Sequence, residues 1–203
     1  MARKSREEAS GTREKILDSA LAMMNERPFS RVSISGIAGK IGLSKGAVYW
    51  HFKNKNDLLV SLVESMCARI EEDLDAAGEP GSLAEIRNYF VSKMEVAVKS
   101  GRVKNMCRLM IRRYEWPEAV REKVRVIVQD RIELERAMLE RFLVGNRRKE
   151  DPGAPPPAEL AALVSTVMHG LFASHLVDIC SVDLVKYVDF ILRALIQGPY
   201  DIK

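Results

Sequence analysis

The chain has 203 residues, 47% of them hydrophobic and 30% charged, with a formal net charge of +4. That is enough for one ordinary domain, or for a small domain joined to a larger one. Three widely spaced cysteines (Cys67, Cys107 and Cys180) offer no CxxC or Cys/His metal spacing, and the first fifteen residues lack the apolar stretch of a secretory signal, which points to free thiols in a cytoplasmic protein.

The charge is unevenly spread. Residues 1–57 carry eleven Lys/Arg against six Asp/Glu, and the remainder twenty-one against twenty-two. The basic character therefore belongs to the N-terminal quarter, as expected if only that part meets a polyanion. Within it, residues 31–56 hold five basic side chains and no acid.

Everything periodic in the chain is helical, and about nine helices are predicted. Residues Thr12 to Glu26 place Ile16, Leu17, Ala20, Leu21 and Met24 on one stripe, and Pro28 ends that helix. Ser33 to Ile41 repeats apolar residues at helical spacing, and Gly42 suits the left-handed residue that closes it. Ser44 is a good N-cap for Lys45 to His51. Asn54 and Asp57 open a fourth helix in capping-box spacing, and Ser82 with Glu85 does the same for a fifth. The fifth should bury Leu83, Ile86, Phe90, Met94 and Val98. A shorter helix covers Arg102 to Arg113. Glu118 to Val144 is long and heavily charged, with Val124, Ile127, Leu134 and Met138 inward. Gly145 to Pro157 is a surface loop, followed by helices over Ala158 to Cys180 and Val182 to Gln197. Leu160 to Val177 has no formal charge, but its serines, threonine, histidines and glycine favour a helix buried by protein over a membrane span.

Helix, tight turn and helix over Ser33 to Phe52 form a helix-turn-helix, which offers its second helix to a major groove of duplex DNA. Ala38, Leu43, Val48 and Phe52 can fill the angle between the helices. Ser44, Lys45, Gly46, Ala47, Tyr49, Trp50 and His51 are left facing outward. Lys45 can donate to guanine, Ala47 and the Tyr49 ring can meet a thymine methyl, and Gly46 lets the backbone come close. Ser33, His51 and Lys55 suit phosphate contacts, which set register and not sequence preference.

The run S-x-x-x-I-A-x-x-x-G-L-S-K-G-A-V-Y-W-H-F-K-N-K-N-D-L-L resembles the DNA-binding domain of the tetracycline-repressor (TetR) family, and its Y-W-H-F-K-N-K-x-[DE]-L part is similar to the multidrug-efflux repressors of that family. The resemblance implies an all-α fold: a three-helix DNA-binding domain over 1–57, and a ligand-binding and dimerisation domain over 58–203. It implies Lys45, Gly46, Ala47 and Tyr49 as base-facing, and Ser33, Ser44, Trp50, His51 and Lys55 as phosphate-facing. It further implies a homodimer on a double-stranded DNA operator. Gly36 and Gly39 depart from the pattern, where the family has good helix formers. Two glycines in so short a helix cost roughly 1 kcal/mol each.

A small-residue face on the penultimate helix (Ala162, Ser165, Thr166, His169, Gly170, Ala173) can admit a second helix closely. With Val188, Leu192 and Leu195 of the last helix it is the expected dimer interface, half of a four-helix bundle. Phe90, Met94, Met110, Tyr114, Trp116, Met138, Phe172 and His175 are the candidate pocket for a hydrophobic small-molecule effector. Arg108, Arg112 and Arg113 suit an anionic ligand less well than a solvated face. No catalytic constellation, metal site or cofactor motif is present in the sequence. The expected function is a ligand-responsive transcriptional repressor, released from its operator by a hydrophobic small molecule and controlling an efflux pump; the alternatives are a DNA-organising or cell-division adaptor on the same scaffold without an inducer, and, ranked last, a helical small-molecule carrier or enzyme.

Overall fold

The computed structural model describes residues 2–146, 155–176 and 184–197, and the regular structure among them is entirely helical. Nine α-helices follow in order: α1 (Ala2–Glu26), α2 (Ile34–Lys40), α3 (Lys45–His51), α4 (Lys55–Ala77), α5 (Leu83–Lys99), α6 (Gly101–Ile111), α7 (Glu118–Gly145), α8 (Pro157–Leu176) and α9 (Leu184–Leu192). Short 3₁₀ turns at Phe29–Arg31 and Arg113–Glu115 join neighbours, and α9 runs into a π-helical turn, Arg193–Gln197. Among the described residues no helix is long and apolar enough to cross a membrane. Residues 147–154 of the expected loop, the end of the helix expected to reach Cys180, and the start of the one expected from Val182 lie outside the described residues.

Two compact units divide the chain. The first comprises Met1–Cys67 and Asn105–Ile127, the second Ala68–Lys104 and Val128–Lys203. This division by compactness runs through α4, α6 and α7, whereas the functional division expected from the sequence falls after residue 57.

In the first unit the stripe on α1 is fully inward: Ile16, Leu17, Ala20, Leu21 and Met24 are all buried. Ile37 and Ala38 of α2, Val48 of α3, Phe52, and Leu58, Leu59, Leu62 and Val63 of α4 are buried with them. The Ser19 hydroxyl donates to the Ile37 carbonyl at 3.2 Å, a buried tie from α1 to α2. The α6 segment is fastened to the end of α1. Arg112 Nη1 donates to the carbonyls of Met24 and Asn25, and Asn25 Nδ2 donates to the Asn105 carbonyl at 3.0 Å. Glu115 holds the same guanidinium through two 2.9 Å bonds. Arg112 is therefore an internal clasp and not part of an anion-greeting face.

The second unit is built on one cluster from α5, α7, α8 and α9: Ile86, Phe90, Met94, Met138, Leu139, Phe142, Val164, Met168, Val188 and Leu192 among others. Two expected core residues lie outside it, since Val98 is 52% and Leu134 45% exposed. The position next to Leu134 carries the inward face instead, and it is charged: Glu135 is 1% exposed. Its carboxylate accepts from Tyr89 Oη at 2.9 Å, from Lys93 Nζ, and from Ser165 Oγ at 3.1 Å. His169 Nδ1 lies 3.6 Å away. That nitrogen is also 2.8 Å from the Ser165 carbonyl, which can only accept, so Nδ1 bears the proton. Burial raises the Glu135 pKa, but the Lys93 and His169 charges, with the hydrogen bonds from Lys93 and Tyr89, outweigh it and hold the carboxyl below its usual range.

Candidate nucleic-acid interface

Local chemistry sets both ends of α2 and the start of α3. Ser33 is extended, and its hydroxyl accepts from the Gly36 amide at 3.1 Å, capping α2. At the other end Gly42 takes φ +70. The Leu43 amide returns to the Ala38 carbonyl at 2.9 Å and the Gly42 amide to Gly39 at 3.3 Å. These two bonds are a Schellman closure, and they require the left-handed residue that glycine supplies most easily. Two residues on, Ser44 accepts from the Ala47 amide at 3.1 Å and starts α3. After Phe52 the chain re-enters helix through a reciprocal cap: Asn54 Oδ1 accepts from the Asp57 amide and Asp57 Oδ2 from the Lys53 amide, each at 2.9 Å.

This arrangement sorts the α3 side chains by face. Val48 and Phe52 are buried, at 0% and 1% exposure. Tyr49 and Trp50 stand outward at 45% and 74%. Lys45 and Gly46 are exposed and Ala47 half-buried. Lys45 Nζ sits 5.5 Å from the Tyr49 ring centroid, so cation and aromatic present one continuous edge. A Cβ at Gly46 would meet only Ser44 Oγ, at 3.8 Å. The chain's own packing therefore leaves room for a side chain there, and glycine keeps the outer surface low.

Around this edge lie the residues expected at phosphates. Ser33 and Ser44 are exposed, with hydroxyls engaged as caps. The Trp50 ring meets the His51 ring edge-on at 4.5 Å. Burial, and then the charge of Arg13, lower the His51 pKa. Lys55 departs from its expected role. Its Nζ turns inward to the carbonyls of Phe29 and Val32, at 2.6 and 2.8 Å, and lies 4.2 Å from the Phe29 ring centroid. Lys40 is also engaged, by Glu26 at 2.9 Å.

The glycines that depart from the family pattern differ from each other. A Cβ at Gly36 would lie 3.0 Å from Met23 Cε and 3.2 Å from Ser33 Oγ, whereas one at Gly39 would meet nothing within 4 Å. Close approach to α1 and to the cap accounts for the first, and nothing in the structure explains the second.

The residues of the two other expected sites are placed as follows. The eight pocket residues do not share one compact unit. Met110, Tyr114 and Trp116 belong to the first, where Trp116 is 2% and Tyr114 73% exposed; Phe90, Met94, Met138, Phe172 and His175 belong to the second. Of the nine dimer residues, Ser165, Val188 and Leu192 are buried at 0–1% and Leu195 packs against the same core. Ser165 is committed to Glu135, and the two aliphatics fill the subunit's own interior. The outward stripe instead runs through Leu163, Thr166, Gly170 and Ala173 on α8 and through Tyr187 and Phe190 on α9, with Ala162 and His169 at its margin. Apolar residues on both sides of α9 left the sequence with two equivalent stripes.

Comparison with known proteins bears on the head first. Residues 16–62 match the family described as bacterial regulatory proteins, tetR family. The HTH-type transcriptional regulator AcrR of Shigella flexneri is 33% identical over 119 residues, 57% of this chain and 55% of AcrR, so that alignment spans about half of the relative's length. Among solved structures, NalD, described as the secondary repressor of the MexAB-OprM multidrug efflux pump in Pseudomonas aeruginosa, superposes with a TM-score of 0.75 at 20% identity, covering 95% of this chain and 98% of that one. SmeT of Stenotrophomonas maltophilia in complex with triclosan gives 0.71 at 22% identity, covering 95% and 92%. Residues 16–62 are therefore similar to the tetR family of bacterial regulatory proteins, and the helices of the described residues follow the fold of NalD.

Proposed function

We propose that the protein is a homodimeric, ligand-responsive transcriptional repressor in the cytoplasm, and that it is not an enzyme. The observation that carries this reading is the exposed α3 edge of Lys45, Gly46, Ala47 and Tyr49 on a helix capped at its start and anchored by Val48. Base contacts come from those four residues, and phosphate contacts from Ser33, Ser44, Trp50 and His51. Two copies reading half-sites about 34 Å apart require a near-palindromic operator. The outward stripe with Leu163 at 47%, Tyr187 at 42% and Phe190 at 68% exposure supports a twofold bundle of α8 and α9.

A hydrophobic small molecule acts through the second unit, whose aromatic and methionine core offers adaptable contacts to Phe90, Met94, Met138 and Phe172. The triclosan complex of SmeT supports this class of effector. The pump repressors NalD and SmeT support an efflux gene as the target. Because α4, α6 and α7 each contribute to both units, displacement in the second reaches the head along continuous helix. Moving an operator from mostly bound to mostly free requires about 5 kcal/mol of preference for the released state.

The test begins with duplexes that the protein selects from a random-sequence pool. Tyr49→Ala should weaken binding to those duplexes more than to an unselected duplex of equal length. Triclosan and other lipophilic compounds should release the selected duplex. Equal weakening on both duplexes refutes the base-facing assignment, and intact binding with no release by any lipophilic compound favours a DNA-organising adaptor.

A further inference from the structure

We infer that Lys55 is a positioning residue for DNA reading, an internal clasp across the two ends of the helix-turn-helix, and not a phosphate ligand. This rests on the DNA-binding reading above. Val32 is the residue immediately before Ser33, which caps α2, and Lys55 is the first residue of α4, three positions beyond Phe52, which closes α3. One ammonium joins the two. It donates to the Val32 carbonyl at 2.8 Å and to the Phe29 carbonyl at 2.6 Å.

An ammonium has three donors and no acceptor. Two donors are engaged on the chain's own carbonyls, and the nitrogen sits over the Phe29 ring, 4.2 Å from its centroid. At most one donor remains for anything outside. The carbonyls gain as well: Phe29 and Val32 are 5% and 2% exposed, and the Val32 carbonyl is a buried acceptor that needs a partner. Burial lowers the Lys55 pKa, as expected of a cation withdrawn from solvent. By contrast Lys45 and Lys53, on either side of the same motif, are exposed.

The consequence is geometric. The chain between Val32 and Lys55 contains both reading helices. Fixing its two ends against each other limits the angle at which α3 leaves the head. A clasp of this kind acts on discrimination between sequences, because base contacts depend on placement more steeply than phosphate contacts do. A phosphate ligand acts differently: its loss weakens all duplexes alike and flattens the salt dependence by about one unit.

Two measurements test the assignment. The first is reductive methylation of the unaltered protein with isotopically labelled formaldehyde, read by peptide mass spectrometry. Lys45 and Lys53 should react in the free protein while Lys55 stays largely unmodified, and adding selected duplex should protect Lys45 without changing Lys55. Lys55 reacting as fast as Lys53 in the free protein, and becoming protected by DNA, overturns the clasp. This arm is independent of any variant's folding, and it decides the clasp even if no duplex is bound, an outcome that would sink the repressor reading separately. The second measurement is Lys55→Met, which keeps the apolar stem. Its preference for selected over unselected duplex should fall by about tenfold or more, with the slope of log affinity against log salt unchanged. A lowered melting temperature with the preference intact would leave Lys55 merely stabilising and overturn the positioning role. Equal loss on both duplexes with a flattened slope would restore it as a phosphate ligand.

Discussion

Replacing Glu135 by alanine should destabilise the second unit more than any comparable surface change. The carboxylate is 1% exposed and is the shared acceptor for Tyr89 Oη, Lys93 Nζ and Ser165 Oγ, drawn from α5 and α8 onto α7. Removing it leaves a cation and two hydroxyls without their acceptor. Breaking a buried ion pair by deleting one partner costs about 3–5 kcal/mol. Lys93 is 17% exposed and can swing its ammonium toward water. Tyr89 and Ser165 are 8% and 0% exposed and cannot turn toward water. The lower half of that range is therefore expected, and a chain of this size loses about 2–4 °C of melting temperature per kcal/mol. A fall of about 6–16 °C should appear by calorimetry at fixed chain concentration. The pH dependence carries the same signature. With the folded pKa held below the usual carboxylate range, the unfolded chain binds more protons as pH falls through that range. The stabilisation is thus complete above the unfolded pKa and is lost as pH drops through the folded one. The difference in urea midpoint between wild type and Glu135→Gln should be constant near neutrality and shrink in acid. A Glu135→Ala protein melting within about 2 °C of wild type, or a Glu135→Gln difference that does not vary with pH, would refute the reasoning.

Gly39→Ala should stabilise the first unit by about 1 kcal/mol in urea denaturation, since its methyl meets open space. Gly36→Ala should gain clearly less, because its methyl would crowd Met23 Cε and Ser33 Oγ; equal gains would mean the crowding at α2 is relieved at no cost. Phe190→Asp, on the outward face, should convert a dimer to a folded monomer by light scattering with an unchanged far-ultraviolet spectrum. Val188→Asp, two residues away but 1% exposed, should instead lose the fold, and the reverse pattern would place the interface on the other side of α9.

What could be read in the sequence was mostly what local chemistry decides. Caps and closures depend on residues within four or five positions of one another, so Ser33, Gly42, Ser44 and Asn54 were legible without the fold. At the start of α5 even local reasoning needed adjustment. Ser82 caps the Glu85 amide at 3.3 Å, but Glu85 Oε2 returns to the Gly81 amide at 2.7 Å and not to Ser82 itself. The helix α1 begins at Ala2 instead of near Thr12, because a run of Arg, Lys and Glu favours helix without supplying the apolar stripe that periodicity looks for. On α7 the stripe holds at Val124 and Met138, but at Leu134 the inward position falls to the next residue, a carboxylate satisfied from two other helices. No neighbouring residue announces that exchange, since its partners lie 30 to 46 positions away. The inward Lys55 escaped for the same reason, its carbonyls being 23 and 26 residues upstream.

The discontinuous first unit follows from the size of the head. A segment of fewer than sixty residues buries too small a fraction of its surface to be more than marginally stable on its own. The remedy here is borrowed chain: Met106, Leu109, Trp116, Val120 and Val124 are all buried within 2–3% exposure, and all lie in the 105–127 segment that the first unit contains. Arg112 and Asn25 pin that segment to the last turn of α1, while Ser19, farther back on α1, pins α2. The exposed helix α3 therefore rests on α2, which rests on α1, to which α6 is tied by hydrogen bonds to main-chain carbonyls. Such bonds to the backbone do not depend on the side chain at the accepting position and hold one register only. A fragment cut after residue 57 is therefore expected to lose this core, and a shift of α6 beyond Lys104 is a shift of part of the first unit itself.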